Sequence, residues 1–370
     1  MTARKPLELP DFPWDALVPF ADRAKQHPGG VVDLSVGSPV DPTPAIIREA
    51  LAAATDAHAY PVTAGTVQLR EAIVSWFARR RGVTDLTVAN VLPSIGSKEL
   101  IALLPLMLGI GRGDIVVQPE VAYPTYALGA ALVGAAVVSS DDPAEWPEGT
   151  KLVWVNSPSN PTGQVFGVDW LRTAVARARE LGAIIVSDEC YAELSWVDGG
   201  ATPSILDPRV IAGDRSSVLA VYSLSKQSNL AGYRAGLIAG CSELIAELLA
   251  VRKHAGLMPP APVQAAMSVA LSDDAHVASQ KELYRSRRAA LLSACERAGF
   301  RIDHSEAGLY LWATAGRDAW ETVAQLAEHG ILVVPGPFYS PDATEHVRIA
   351  LTATDESVDA AVSRLATIRL

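Results

Sequence analysis

Ser223-Leu224-Ser225-Lys226-Gln227-Ser228-Asn229-Leu230-Ala231-Gly232-Tyr233-Arg234-Ala235-Gly236 follows almost directly on the short apolar run Val218 to Val221. That run reads as a buried strand. The stretch therefore sets a lysine at a strand end, beside Ser223 and Ser225, with Gly-x-Arg-x-Gly downstream. A primary amine can condense with an aldehyde. Hydroxyls and a guanidinium can hold a phosphate, the guanidinium in bidentate fashion. A polar surface loop would account for the lysine alone. The whole string favours a site that binds an anion and reacts with a carbonyl.

Working outward, Ile115 to Val117, Lys151 to Val155 and Ala183 to Val186 also read as buried strands, and Ser97 to Leu108 and Asp169 to Leu181 as helices. This alternation predicts an α/β fold with a mainly parallel sheet. Pro262 to Ala298 has helical periodicity throughout and is expected to bridge two domains. Beyond it, a strand at Gly308 to Trp312, a helix at Ala319 to Glu328 and strands at Ile331 to Val334 and His346 to Leu351 suggest a smaller α+β unit. The division expected is 1–40 as an N-terminal arm and part of the small domain, 41–260 as the large domain, and 261–370 as the small domain with its bridging helix.

The 370 residues are enough for a large and a smaller domain, and 49% hydrophobic with 19% charged residues excludes a disordered chain. A net charge of −10 leaves no basic face for nucleic acid. Three cysteines, Cys190, Cys241 and Cys295, make no disulfide framework, and the seven histidines form no His-Glu-x-x-His metal pattern. Met1 to Pro13 lacks the apolar run of a signal peptide, and Ile101 to Ile110 is too short to span a membrane. The expectation is a cytoplasmic protein with no metal, membrane or nucleic-acid partner.

Two further strings sit at strand ends. Ser187-Asp188-Glu189-Cys190-Tyr191 follows Ala183 to Val186. Taken alone, Asp188 reads as a helix N-cap. In the company of Lys226 it becomes a carboxylate able to pair with a protonated pyridine nitrogen, and Tyr191 a donor to a ring oxygen. Asn156-Ser157-Pro158-Ser159-Asn160-Pro161-Thr162-Gly163 follows Lys151 to Val155. Its two X-Pro steps make a rigid turn that can aim the Asn160 amide.

Together these strings resemble the class I/II aminotransferases of fold type I, in order and spacing, along nearly the whole chain. The resemblance implies a large domain with a mainly parallel seven-stranded sheet, a smaller α+β domain and the cofactor pyridoxal 5′-phosphate. It implies Lys226 as the lysine that carries the cofactor as a Schiff base, Asp188 as partner of the ring nitrogen, and Tyr191 and Asn160 as donors to the ring oxygen. Ser223, Ser225 and Arg234 would hold the phosphate. Gly96, Ser97 and Lys98, in Ser94-Ile95-Gly96-Ser97-Lys98-Glu99, match a turn that opens a helix towards that phosphate. Tyr123 matches the aromatic stacked on the ring. Tyr60 matches a tyrosine lent across a homodimer interface, so shared active sites are expected. Arg348 and Gly37 match the groups that meet the substrate α-carboxylate, with Asn160 beside them.

A narrower resemblance, to the actinobacterial succinyldiaminopimelate aminotransferases of lysine biosynthesis, rests on Leu9-Pro10-Asp11-Phe12-Pro13-Trp14-Asp15, the stretch from His27 to Pro42, and Tyr60-Pro61-Val62-Thr63-Ala64-Gly65-Thr66. Ser38 stands where that group has threonine. The implied substrates are N-succinyl-LL-2,6-diaminopimelate and 2-oxoglutarate. Lys253, His254 and Arg301 are candidates for anchoring a distal carboxylate. The rivals are an aspartate or aromatic aminotransferase, a C–S lyase on the same fold, and a non-enzymatic cofactor-binding regulator. Met1 to Asp33 is too short and too weakly basic for the DNA-binding region of such a regulator.

Overall fold

In the computed structural model, which describes residues 13–197 and 202–369, the Lys226 string leaves a seven-stranded sheet. From one edge to the other its strands are Val91–Ile95, Ala235–Gly240, Val218–Ser223, Ile184–Asp188, Thr150–Asn156, Ile115–Gln118 and Ala136–Ser139. All run in the same direction except Ala235–Gly240, which is antiparallel to both of its neighbours. The expected strands are all present. Val91–Ile95, Ala235–Gly240 and Ala136–Ser139 are additions that the sequence reading did not assign.

Side-chain alternation explains why the central strands are buried on both faces. In Val218–Ser223, Val218, Ala220 and Tyr222 enter one core, while Leu219 and Val221 enter the other. The first core is closed by helices Val67–Arg81, Val168–Glu180 and Ala261–Ser272, through Ile73, Trp76, Leu171 and Met267. The second is closed by Gly96–Met107, Thr125–Val133 and Ser242–Ala255, through Leu100, Leu104, Tyr126 and Leu248. Each fully buried leucine or isoleucine contributes about 1.5–3 kcal/mol.

The expected single helix from 262 to 298 is two helices, Ala261–Ser272 and Ala275–Ala298. The break falls at Asp273-Asp274, where Asp273 is extended and its carboxylate accepts the His276 N–H at 3.1 Å. Aspartate competes with the helix for backbone donors in this way. The first helix packs in the large core.

A third hydrophobic cluster surrounds a four-stranded antiparallel sheet in the order Val334–Pro335, His346–Ala350, Tyr310–Thr314, Arg301–Asp303. The run Ile331 to Val334, expected as one strand, changes partners within itself. Ile331–Leu332 pairs in parallel with Val32–Asp33, and Val334–Pro335 pairs with His346–Ala350. Leu17, Val32 and Leu34 of the N-terminal segment pack in this cluster. No helix among the described residues is long and apolar enough to cross a membrane.

Candidate active site

Parallel α/β sheets present their ligands beyond the carboxyl ends of the strands, and the three strand-end strings meet there. A cavity of about 920 Å³ is lined by Asn160, Asp188, Tyr191, Ser223, Ser225, Lys226 and Arg234, together with Gly37, Ser97, Lys98, Tyr123 and Arg348. The reversed strand is what brings Arg234 in. Because Ala235–Gly240 starts at the edge where its neighbours end, the residue before it lies at the site.

The phosphate-side residues are packed by contact. The Ser223 hydroxyl donates to Ser225 Oγ at 2.9 Å and accepts the Ser225 N–H at 3.2 Å, which caps the single helical turn Leu224–Gln227 that carries Lys226. Gly96 has φ +74° at the start of helix Gly96–Met107, and a Cβ there would lie 2.4 Å from Arg234 Nη2. A side chain at 96 would thus push the guanidinium away from the helix N-terminus. Gly96 itself stands behind the cavity wall formed by Ser97 and Lys98. Lys226 is the one partly exposed residue in a buried run, and its ammonium donates to the Gly37 carbonyl.

At the floor, the Asp188 carboxylate is buried. Its Oδ2 accepts from the Tyr126 hydroxyl at 2.9 Å and its Oδ1 from the Cys190 N–H at 3.2 Å. Among the described residues no lysine or arginine pairs with it. Burial raises its pKa above the ordinary carboxylate range, against the two hydrogen bonds that lower it. The turn that follows is not a helix, so the N-cap reading of Asp188 is set aside.

Arg348 is the complement. Val347 and Ile349 pack in the small core, while Arg348 between them reaches the cavity. It is 3% exposed, and it donates from Nη1 to Asn160 Oδ1 at 2.9 Å and from Nη2 to the Ser35 carbonyl at 2.6 Å. Its Nε has no partner, and no carboxylate pairs with it among the described residues. A buried guanidinium without an anion costs several kcal/mol. With Asn160 Oδ1 engaged by Arg348, the Asn160 Nδ2 is the end left to donate. The loop holding it is braced by the Asn160 N–H on Asn156 Oδ1 at 2.8 Å and contains cis peptide bonds at Ser157-Pro158 and Asn160-Pro161.

Aromatic side chains complete the walls, and of these the sequence reading had assigned Tyr123 alone. Tyr310 lies with its ring centroid 4.0 Å from Arg348 Cζ and its hydroxyl 3.2 Å from that of Tyr191. A Cβ at position 37 would fall 2.0 Å from the Tyr310 hydroxyl, which explains the glycine there by close approach. Tyr123 stands edge-on to Tyr126 at 5.8 Å, and burial pushes its phenol up to about 12. Tyr339, Trp14 and Phe338 line the far side. No spacing signal joins Tyr310, Tyr339 and Trp14, which arrive from distant parts of the chain.

Besides Gly96, four expectations fall outside the cavity. Tyr60 is 97% exposed on this chain. Lys253 and His254 are exposed in the last turn of helix Ser242–Ala255, where cations suit the helix dipole. Arg301 is held by Asp303 at 2.7 Å on an edge strand. None of these last three lines the cavity, so none anchors a distal carboxylate there. Leu9 to Phe12 of the N-terminal motif lie outside the described residues. Among the described residues no cluster of His, Cys, Asp or Glu could hold a metal ion.

Such a fold and site define a cofactor-dependent transferase, and the chain belongs to the class I and II aminotransferases, whose family model matches residues 29–365. Members of this family use pyridoxal 5′-phosphate, and the chain is a pyridoxal-phosphate-dependent aminotransferase. It is 58% identical over 359 residues to the probable aminotransferase Rv1178 of Mycobacterium tuberculosis, covering 96% of this chain and 85% of the relative. It is 55% identical to the 4-dedimethylamino-4-oxo-anhydrotetracycline transaminase OxyQ of Streptomyces rimosus, over 97% and 99% of the two chains. A solved N-succinyldiaminopimelate aminotransferase from Mycobacterium tuberculosis superposes with a TM-score of 0.86 over 95% and 96% of the chains at 26% identity. The narrower kinship expected from the N-terminal strings therefore holds at the level of family and fold, since Rv1178 and OxyQ are much nearer in sequence than that enzyme.

The cavity fits the family's cofactor. It offers a buried carboxylate with no cation for a pyridinium, and hydroxyls, a guanidinium and a helix N-terminus for a phosphate. It also offers a lysine for the aldehyde.

Proposed function

We propose that this aminotransferase exchanges an amino group between N-succinyl-LL-2,6-diaminopimelate and 2-oxoglutarate, acting in the cytoplasm as a homodimer with shared sites. The observation that carries the site reading is the unpaired couple on one cavity: buried Asp188 without a cation and buried Arg348 without an anion. A pyridinium and an α-carboxylate are the charges they lack.

The bound cofactor supplies an electron sink for the pair left when the Cα–H bond of the substrate breaks. Asp188 would keep the proton on the ring nitrogen. Ser97, Ser223, Ser225, Arg234 and the N–H groups of Ser97 and Lys98 would hold the phosphate, and Tyr123 would cover the ring. Tyr191 and Asn160 Nδ2 would donate to the ring oxygen. Arg348 takes the substrate α-carboxylate in bidentate fashion, beside the Gly37 backbone, and so sets which Cα bond is broken. Lys226, which lines the cavity and is partly exposed, would serve as the acid–base group that takes and returns the proton at the substrate Cα. The strings between Pro13 and Thr66 support the diaminopimelate derivative as donor.

An amine and oxo-acid panel tests this reading. N-succinyl-LL-2,6-diaminopimelate should give the highest kcat/KM with 2-oxoglutarate. Preference for aspartate, for an aromatic donor or for a polycyclic ketone acceptor like that named for OxyQ would replace the substrate. Release of a thiol from cystathionine without amino transfer would make the enzyme a C–S lyase.

The dimer is tested by mixing. Tyr60→Phe and Lys226→Ala subunits each form impaired homodimers. Their heterodimer has one site with both lesions and one with neither, so mixing should restore activity. Heterodimers without restored activity would end the shared-site proposal.

A further inference from the structure

Tyr310 touches three parts of the site at once. Its ring lies against the Arg348 guanidinium, its hydroxyl meets that of Tyr191, and it packs on Gly37, whose carbonyl receives Lys226. It is 3% exposed and lines the cavity. Two phenols at 3.2 Å share one hydrogen bond, and which of them donates has a chemical answer. Tyr191 has a single proton. If that proton is given to the ring oxygen, Tyr191 can only accept from its neighbour, so Tyr310 must be the donor.

We propose that Tyr310 is a positioning residue with two separable parts: a hydroxyl that donates to Tyr191 and so strengthens the Tyr191 hydrogen bond to the cofactor ring oxygen, and a ring that holds the plane of Arg348 for the substrate carboxylate. The proposal rests on the roles given above to Tyr191 and Arg348. A donor whose own oxygen accepts a hydrogen bond is polarised and donates more strongly. The guanidinium face, in turn, is stacked on an aromatic surface as cation–π contacts require.

The hydroxyl is read from the pH midpoint of the visible band of the enzyme–cofactor complex. Hydrogen bonds to the ring oxygen draw off its negative charge and make the neighbouring protonated nitrogen more acidic. Their loss should raise the midpoint. Tyr191→Phe should raise it most, Tyr310→Phe by about half a unit to one unit, and the double variant no more than Tyr191→Phe alone. The ring is read from calorimetric binding of glutarate, a carboxylate that cannot react, to the cofactor-loaded enzyme. Tyr310→Phe should bind like wild type and Tyr310→Leu about tenfold more weakly or worse. A shift in Tyr191→Phe with none in Tyr310→Phe, or additive shifts in the double variant, would overturn the hydroxyl role while leaving the Tyr191 reading intact. No shift in Tyr191→Phe would remove both. Equal glutarate binding by Tyr310→Leu and wild type would overturn the ring role, and equal loss in Tyr310→Phe and Tyr310→Leu would do the same.

Discussion

Lys226→Ala should yield a folded protein without the yellow, borohydride-reducible cofactor adduct, and with turnover lower by ~10⁴-fold or more. The size follows from the two tasks the residue is given. It bonds the cofactor covalently and it moves the proton at Cα, and a positioned acid–base group alone is worth about 10²–10⁴-fold. Folding should survive, because the side chain is partly exposed and its one hydrogen bond goes to the Gly37 carbonyl, which water can satisfy instead. Absorbance, borohydride reduction with peptide mapping, and single-turnover kinetics check the three parts. A Lys226→Ala protein that keeps an unchanged reducible adduct on another lysine would remove Lys226 from the site.

Asp188→Asn should lower kcat by on the order of 10³-fold, about 4 kcal/mol of transition-state stabilisation, while the protein still binds its cofactor. Asparagine keeps an oxygen for the Cys190 N–H and a polar group for the Tyr126 hydroxyl. What it loses is the negative charge that holds a proton on the ring nitrogen. The phosphate contacts at Ser223, Ser225 and Arg234 come from other strand ends and are untouched. Stability separates this from a structural defect. The carboxylate is buried with no cation, so the cofactor-free variant should melt no lower than wild type. Near-normal turnover would return Asp188 to a local turn-former, and a much lower melting temperature would make the loss of activity a folding effect.

The central strands of the large sheet were readable because they are buried on both faces, and such strands appear as short apolar runs. Thr150–Asn156, Ile184–Asp188 and Val218–Ser223 were found in this way. The three polar strings stood out because each interrupts that pattern at a strand end. Ala235–Gly240 was missed for the opposite reason: its glycines allow Gly236 to pack against Gly96, and that close contact removes the apolar signature of a strand. The single helix expected at 262–298 failed on two aspartates, whose capping tendency is local but whose effect on a long periodic segment is not.

The amino-acid sequence by itself determined the chemistry available, a strand-end lysine with serines and an arginine for a phosphate and a carboxylate for a ring nitrogen, because those groups lie within a few residues of the strands that carry them. Only the tertiary structure decided which distant groups face them. Tyr126 reaches Asp188 across 62 residues, Tyr310 reaches Tyr191 across 119, and Arg348 reaches Asn160 across 188. Periodicity records which face of an element is buried, but strand order and the packing of the two cores choose its partner, and neither is written in any local stretch of the chain.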